Sequence, residues 1–304
     1  MKKEAGNVLP IDAGNSLFAE FYKSGEEDQA KANLIAQAMA GMGVQVIGVG
    51  MRDLSAGPEF IAALAKKHKL QPLSANLARD GKLIFKASTI LNVGGVKVGV
   101  IGASPPNPFK FPGVVGLPLR DTVIPEAKRL RPLVDVVVVL APVMYPDAMQ
   151  IASESGGAVD LVLQNHEGRG TGPGVPVAVT DNFLIHTGER GRQVARLELT
   201  LAGKGPFQDG SQSDRERQSL EILDRQVGEV QKRLAATTDP AQKQSYQSTL
   251  ESFQARRAQV VKELGTKKDA GRTLRLSFPM LGPDVASDPV MEAQVQKHNP
   301  VNNH

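Results

Sequence analysis

Four apolar runs that each end in a short polar cluster constrain the fold of this chain more than any other feature. The runs and their clusters are Val8–Ile11 before Asp12–Asn15, Val44–Ile47 before Gly48–Asp53, Val136–Leu140 before Ala141-Pro142, and Leu161–Leu163 before Gln164–Glu167. Segments of helical pattern separate the runs, which is typical of a mainly parallel sheet with crossover helices. Functional sites in open α/β proteins collect where strands end, so these clusters are the first candidates for a site.

Composition and charge exclude several classes of function. The 304 residues contain no cysteine, which excludes disulfides, thiolate zinc sites and cysteine nucleophiles. The net charge of +4 comes from 36 basic and 32 acidic residues that are interleaved along the chain, and this pattern does not favour nucleic acid as a partner. No segment reaches the roughly 18 apolar residues of a membrane span. The charged residues near Met1 precede no apolar segment, so we expect no signal peptide in this chain.

Hydrophobic periodicity predicts the elements of the first two thirds of the chain. It predicts helices over Glu27–Met42, Pro58–Lys67 and Asp147–Ser155. It predicts strands at Leu73–Leu77 and Val134–Leu140, and an antiparallel-rich second half at Val177–Thr180, Phe183–His186 and Val194–Leu201. Ile84–Val93 and Val96–Ile101 are typical of a hairpin joined through Gly94-Gly95, and residues 103–118, rich in Pro and Gly, predict a loop.

The composition changes over Ser211–Leu264, which is polar, charged and almost free of glycine. Apolar residues follow a heptad rhythm in two segments, Leu220, Leu223, Val227, Val230 and Leu234, then Tyr246, Leu250, Phe253, Val260 and Leu264, with Arg257 interrupting the second. Thr238-Asp239-Pro240 between them supplies a turn, an N-cap and a proline at the first helical position. The pattern predicts an antiparallel helical hairpin with a coiled-coil-like apolar seam.

A return to strand pattern at Leu274–Phe278 indicates that the helical hairpin is an insertion. We therefore predict a main domain of residues 1–205 plus 270–304, with a short helix near Pro289–Lys297, and an inserted hairpin of residues 211–266. Two roles of the hairpin stay open at this stage. It packs on the main domain, or it is an exposed arm for self-association or a protein partner, and the mixed charges on its polar faces suit either role.

The order of elements resembles the metallophosphoesterase domain of the exported 5′-nucleotidase family, within the calcineurin-like superfamily. The resemblance rests on the order and spacing of Leu9–Asn15, Ala38–Leu54, Pro72–Leu77, Gly95–Gly102, Asp135–Leu140 and Asp160–His166. It implies a four-layer α/β/β/α sandwich with two divalent metals at the strand ends, where a metal-bound hydroxide attacks a phosphate ester. It also implies export to the bacterial periplasm or cell surface.

The resemblance assigns metal ligands to positions that mostly carry other residues here. The bridging aspartate of a Gly-Asp motif corresponds to Asn15, whose neutral amide is a poor bridge between two dications. In the Gly-Asn-His-acid motif, Met51 replaces a ligand, Arg52 puts a cation where an imidazole would lie, and Asp53 keeps the acid.

Two further motifs are reduced and one has no counterpart. The strand expected to lead into a histidine leads into Ala141-Pro142, and the final Gly-His-x-His motif corresponds to Asn165–Gly168 and keeps only His166. The first motif of the family, Asp-x-His, has no counterpart in the sequence.

The candidate site residues follow from these positions. Asn15 and His166 are the candidate metal ligands, Arg52 and Asp53 occupy degenerate catalytic positions, and the candidate ligand-binding residues are Asn76, Arg52, Glu167 and His186. Each has a structural alternative. In the structural alternative, His166 is a hydrogen-bonded residue at a strand end, and Asn15 caps a helix or holds a turn. For Arg52 the alternatives are an ion pair with Asp53 or binding of a phosphate or carboxylate without metal.

Two functional hypotheses result. In the first, the chain is a pseudoenzyme of the phosphoesterase fold that has no cofactor and acts as a binding or scaffolding module. Its partner would be a protein or a second copy bound through residues 211–266, or a small phosphorylated ligand. In the second, it is a nucleotidase-type hydrolase with an altered metal centre that uses a divalent metal such as manganese or zinc.

Overall fold

The computed structural model describes residues 6–106, 111–165, 176–188, 193–266, 271–282 and 284–298. The helices are α1 (Glu26–Met42), α2 (Pro58–His68), α3 (Leu119–Leu130), α4 (Tyr145–Glu154), α5 (Ser211–Ala236), α6 (Pro240–Thr266) and α7 (Pro289–His298). The strands are β1 (Val46–Gly48), β2 (Gln71–Leu73), β3 (Leu77–Arg79), β4 (Lys82–Leu83), β5 (Ser88–Val93), β6 (Val96–Gly102), β7 (Val114–Gly116), β8 (Val136–Ala141), β9 (Leu161–Gln164), β10 (Val177–Val179), β11 (Asn182–His186), β12 (Arg196–Leu201), β13 (Gln208–Asp209) and β14 (Arg272–Ser277).

The chain divides into two compact units, one of Met1–Arg196 with Ser277–His304 and one of Leu197–Leu276. The first unit is built around a sheet with the strand order β10-β11-β9-β8-β6-β5. Its central strands β11, β9, β8 and β6 are parallel, and β10 and β5 are antiparallel to their neighbours. Every residue of β8 is buried, as expected of a parallel strand that is covered on both faces.

Helices and a second sheet cover the two faces of this sheet. On one face, Val123 of α3 and Ile151 of α4 share a core with Val137 and Val139 of β8. On the other face lies the parallel pair β1-β2, packed so closely that a Cβ built on Gly102 would lie 2.0 Å from the carbonyl oxygen of Leu73.

The outer face of the β1-β2 pair is covered in turn by α1 and α2. Ile47 of β1 shares a core with Ala36 of α1 and Ile61 of α2. The succession of helices, sheet, sheet and helices is the predicted four-layer α/β/β/α sandwich, so the predicted fold class is confirmed.

Local sequence signals account for the ends of these elements. Three acidic residues in the first turn of α1 favour its N-terminus, and Gly43 ends it with a φ of 83°. Pro58 occupies the first turn of α2. The helices predicted in the first 155 residues are confirmed to within two residues at each end, and the Gly94-Gly95 hairpin is confirmed as β5 and β6.

Three details of the predicted secondary structure are wrong. The single strand Leu73–Leu77 is two strands, because the Ser74 hydroxyl accepts a hydrogen bond from the Leu77 amide at 3.0 Å and turns the chain between β2 and β3. The predicted loop 103–118 contains β7, which pairs with β3. The strand near Phe183 belongs to the main sheet, parallel to β9, because β11 is buried throughout.

The second unit contains a small sheet with the order β12-β14-β13 and the two long helices. Helices α5 and α6 pack against each other, and Asp239 begins α6 by accepting hydrogen bonds from the amides of Ala241 at 2.8 Å and Gln242 at 3.3 Å. Arg257 leaves the seam to pair with Asp224 of the other helix at 2.5 Å. The predicted domain boundaries, 1–205 plus 270–304 and 211–266, stay a prediction.

None of the helices in the described ranges is both long and apolar enough to cross a membrane.

Candidate functional site

The polar clusters predicted from the sequence meet at one place in the first unit. The Asp12 amide donates to the carbonyl oxygen of Val46 at 3.2 Å, and the Gly48 amide donates to that of Asp12 at 2.9 Å, so the first apolar run lies beside β1. The Asn165 amide donates to the carbonyl oxygen of Ala141 at 3.2 Å, which joins the ends of β9 and β8. The strand ends therefore converge as the family resemblance implies.

Asn15 is the residue that links these loops. Its Nδ2 donates to the carbonyl oxygen of Asn165 at 2.9 Å, and its Oδ1 accepts from the Arg52 amide at 3.0 Å. Asn165 returns the contact, since its own Nδ2 donates to the carbonyl oxygen of Gly14. Asn15 has a φ of 60°, a left-handed conformation that asparagine tolerates better than most residues. Both the nitrogen and the oxygen of its side-chain amide therefore make hydrogen bonds within the protein.

Asp53 anchors the same loop from the other side. Its Oδ2 accepts from the amides of Asn15 at 2.7 Å and Gly50 at 2.8 Å, and its Oδ1 accepts from those of Ser16 and Leu17, both at 3.0 Å. Burial raises the pKa of Asp53, and the four amides oppose that shift. A carboxylate offers about four lone-pair positions, so these amides use its accepting capacity.

The backbone amide of Arg52 donates to Asn15, and its side chain points to Phe21. The guanidinium carbon lies 5.8 Å from the centroid of the Phe21 ring, within cation–π range. Because the contacts of Asp53 given above are to backbone amides, the structure assigns that carboxylate the role of a loop anchor. The ion pair between Arg52 and Asp53 stays a prediction.

Asp12 is a titratable residue of the site that sequence reasoning missed. Its Oδ1 accepts from the Gly14 amide at 2.8 Å and its Oδ2 from the Ser16 hydroxyl at 2.7 Å. Burial, and then the neighbouring Asp53 carboxylate, raise the pKa of Asp12 to about 7. The available signal was an acid placed directly after the apolar run Val8–Ile11.

Pro142 fills the centre of the converging loops. A Cβ built on Gly14, whose φ is 97°, would lie 2.9 Å from the Pro142 Cγ, and one built on Gly50 would lie 2.9 Å from the Pro142 Cβ. The Gly50 Cβ would also lie 2.2 Å from the Oδ1 of Asn15. An apolar ring therefore occupies the strand end where the resemblance implies a histidine ligand.

Asn76, which the sequence analysis gave as a candidate ligand-binding residue, makes four hydrogen bonds within the protein. Its side chain is fully buried. Its Oδ1 accepts hydrogen bonds from the Ser74 hydroxyl at 3.2 Å and the Ser104 amide at 2.8 Å. Its Nδ2 donates to the carbonyl oxygens of Ser104 at 2.8 Å and Leu117 at 3.3 Å. All four of its hydrogen-bonding positions are used in this way, and its contact with a ligand stays a prediction.

His186 ends β11 beside Gln164 of β9, close in the sheet to Asn165. The ring is buried, and its Nδ1 accepts from the Gly188 amide at 3.2 Å, which places the proton of the neutral ring on Nε2. The other two sequence candidates, His166 and Glu167, lie outside the described residues.

The described residues do not fit a dimetal centre. Among them, no group of three or more histidine or acidic side chains is arranged to hold a metal ion. Of the two carboxylates near Asn15, Asp53 is occupied by amides and Asp12 carries a raised pKa that favours its neutral form. Divalent metals need deprotonated ligands with free lone pairs. The Asp53 carboxylate directs both oxygens at backbone amides, and the raised pKa of Asp12 makes its deprotonated form less available than that of an ordinary aspartate.

Known structures place the fold of the chain in one class. No protein-family model and no curated protein matches the sequence. A 5′-nucleotidase precursor from Thermus thermophilus matches with a TM-score of 0.54 and 23% identity over 66% of this chain and 43% of its own. The NAD nucleotidase of Haemophilus influenzae matches with a TM-score of 0.56 and 16% identity over 67% of this chain and 40% of its own.

The calcineurin-like phosphoesterase YfkN from Bacillus subtilis also matches, with a TM-score of 0.54 and 14% identity over 67% of this chain and 74% of its own. The chain thus has the metallophosphoesterase fold that the order of its elements predicted. Within that class its structural neighbours include 5′-nucleotidases, and it spans less than half the length of the two nucleotidases described above.

Proposed function

We propose that this chain is a phosphoesterase-fold protein that does not hydrolyse phosphate esters and acts as a binding or scaffolding module. The observation that carries the proposal is the engagement of Asn15. The residue in the bridging-ligand position donates to Asn165 and accepts from Arg52, so both ends of its amide are already used.

The chemistry of the fold explains why this matters. A dimetal phosphoesterase holds two cations with anionic and imidazole ligands, and these cations stabilise the attacking and leaving oxygens. Here the bridging position is a neutral amide, and Met51, Arg52 and Pro142 occupy three further positions that the resemblance assigns to ligands or to an assisting imidazole. A cation at Arg52 also opposes the binding of a second positive ion nearby.

The binding role is assigned to the helical hairpin, residues 211–266. Nine of the ten apolar residues of its seam are half-buried, and Leu223 alone among them is buried. Outside the seam, Ile222 is 47% exposed and Val261 is 44% exposed. Half-buried apolar residues on a helical pair suit packing against a further helical surface. Arg52 is proposed in addition as a metal-free contact for a small phosphorylated ligand. Export is proposed from the family resemblance alone.

A phosphatase assay tests the proposal. The purified chain is incubated with manganese or zinc and with nucleoside 5′-monophosphates and a chromogenic phosphodiester, and an Asn15→Lys variant prepared identically controls for contaminating phosphatase. We expect no turnover that differs between the two proteins. Metal-dependent turnover that the Asn15→Lys change abolishes would support the alternative, a nucleotidase-type hydrolase with an altered metal centre.

A further inference from the structure

Asn15 and Asn165 exchange hydrogen bonds between two loops that follow separate strands. We propose that this pair is an amide cross-link that holds the strand ends in their converged arrangement without a bridging ion. The proposal rests on the same engagement of Asn15 as the proposed function, and exchange of the Arg52 amide tests the cross-link separately from hydrolysis of any ester.

The cross-link is reciprocal and extends to the loops that contain Asn15, Arg52 and Asn165 and to the end of β8. Asn15 donates to the carbonyl oxygen of Asn165, and Asn165 donates to that of Gly14. The backbone amide of Asn165 reaches Ala141 at the end of β8, and the Oδ1 of Asn15 holds the Arg52 amide. One pair of asparagines therefore ties together the ends of the first apolar run, β1, β8 and β9.

The partners of Asn15 require an amide and exclude a carboxylate. Its Nδ2 faces a carbonyl oxygen, which needs a donor, and its Oδ1 faces a backbone N–H, which needs an acceptor. An aspartate would set a charged oxygen against the Asn165 carbonyl and add a third acid to loops that already contain Asp12 and Asp53. The residue that the resemblance would place here is therefore unfavourable in this structure.

Asn15 and Pro142 pack closely against Gly50, in the loop that contains Arg52. A Cβ on Gly50 would come within 2.2 Å of the Asn15 Oδ1, so that oxygen lies directly on the backbone of the next loop. The ring of Pro142 also packs against Gly50, since a Cβ on Gly50 would lie 2.9 Å from the Pro142 Cβ. Among the described residues, the Asn15 amide and the Pro142 ring therefore both pack against the backbone of Gly50.

Amide hydrogen exchange and thermal unfolding of four variants test the cross-link. The variants are Asn15→Ala, Asn15→Asp and Asn165→Ala, with Asn92→Asp as the matched control. Asn92 is an exposed residue near the end of β5 whose Oδ1 accepts from the Gly95 amide at 3.0 Å, a bond that a carboxylate makes equally well. The wild-type chain is measured with chelator and with manganese.

We expect both Asn15 variants to lower the unfolding midpoint by roughly 3 to 8 °C, Asn15→Asp because it loses the donor to the Asn165 carbonyl oxygen. Asn15→Ala should also speed exchange of the Arg52 amide at least tenfold, whereas Asn15→Asp keeps an acceptor for that amide. Asn165→Ala keeps the carbonyl that accepts from Asn15, so its midpoint should fall less, and Asn92→Asp should change neither quantity. The wild-type midpoint should be the same in chelator and in manganese. Unchanged Arg52 exchange in Asn15→Ala, or a manganese-dependent rise in the wild-type midpoint that Asn15→Ala removes, would overturn the proposal.

Discussion

The Oδ2 of Asp53 accepts a hydrogen bond from the backbone amide of Asn15 at 2.7 Å, across 38 residues of sequence. This bond joins the loop after the first apolar run to the loop after β1. It also makes Asp53 a structural acid, because its remaining capacity is taken by the amides of Ser16, Leu17 and Gly50. The stability of the site therefore depends on a carboxylate whose two oxygens both accept from backbone amides.

Asp53→Asn should destabilise the first unit by about 2 to 4 kcal/mol, because an NH₂ group would face two of the four amide donors in a buried setting. The free energy of unfolding from urea titration measures the change. Asp181→Asn makes the same substitution at an exposed turn, where we expect a change within about 0.5 kcal/mol. Equal effects of the two substitutions would show that Asp53 does not anchor the loop.

Asp12→Asn should change how stability depends on pH. Folding raises the pKa of Asp12 from 3.8 to about 7, so the folded state binds the proton more tightly than the unfolded state. The stability that this provides is complete below pH 3.8 and is lost as pH rises through about 7.

Asparagine keeps the acceptor for Gly14 and stays neutral, so the variant should gain stability relative to the wild type between pH 5 and pH 8, by up to the order of 2 to 4 kcal/mol. Denaturant titrations of both proteins across this pH range measure the difference. A difference that does not vary with pH would mean that Asp12 titrates normally.

Gly50→Ala should destabilise the first unit by roughly 2 to 3 kcal/mol, because the new methyl group would lie 2.2 Å from the Asn15 Oδ1 and 2.9 Å from the Pro142 Cβ. Gly41→Ala is the control in the same unit, since Gly41 lies inside α1 with no atom within 4 Å of the new Cβ. That change should raise stability by up to about 1 kcal/mol through helix propensity. Thermal unfolding of the two variants separates close packing of the site from a general effect of alanine.

Leu223→Ala and Ile222→Ala form a matched pair in the hairpin. The two residues are adjacent and similar in size, but Leu223 is 4% exposed and Ile222 is 47% exposed. Leu223→Ala should cost about 2 to 3 kcal/mol, and Ile222→Ala less than about 1 kcal/mol in the isolated chain. Far-UV circular dichroism during thermal unfolding follows the helices. A similar large loss for Ile222→Ala would indicate that a second copy of the chain covers this side of the hairpin.

The sequence predicted the layers of the fold well and the site less well, for physical reasons. Buried strands such as β8 and capped helices such as α1 depend on local periodicity and end signals, which a single sequence contains. The roles of Asn15 and Asp53 depend on backbone groups of loops far away in the chain, and no local pattern encodes those partners. Asn76 illustrates the same limit, since its partners Ser104 and Leu117 lie 28 and 41 residues away along the chain.

Metal stoichiometry tests the central claim most directly. The wild-type chain is loaded with manganese or zinc, desalted and measured by elemental analysis, with Asn15→Lys as the control for surface-bound metal. We predict that the wild type retains well under one equivalent and no more than the variant. Two equivalents that the Asn15→Lys change removes would contradict the account and identify a working dimetal centre at the converged strand ends.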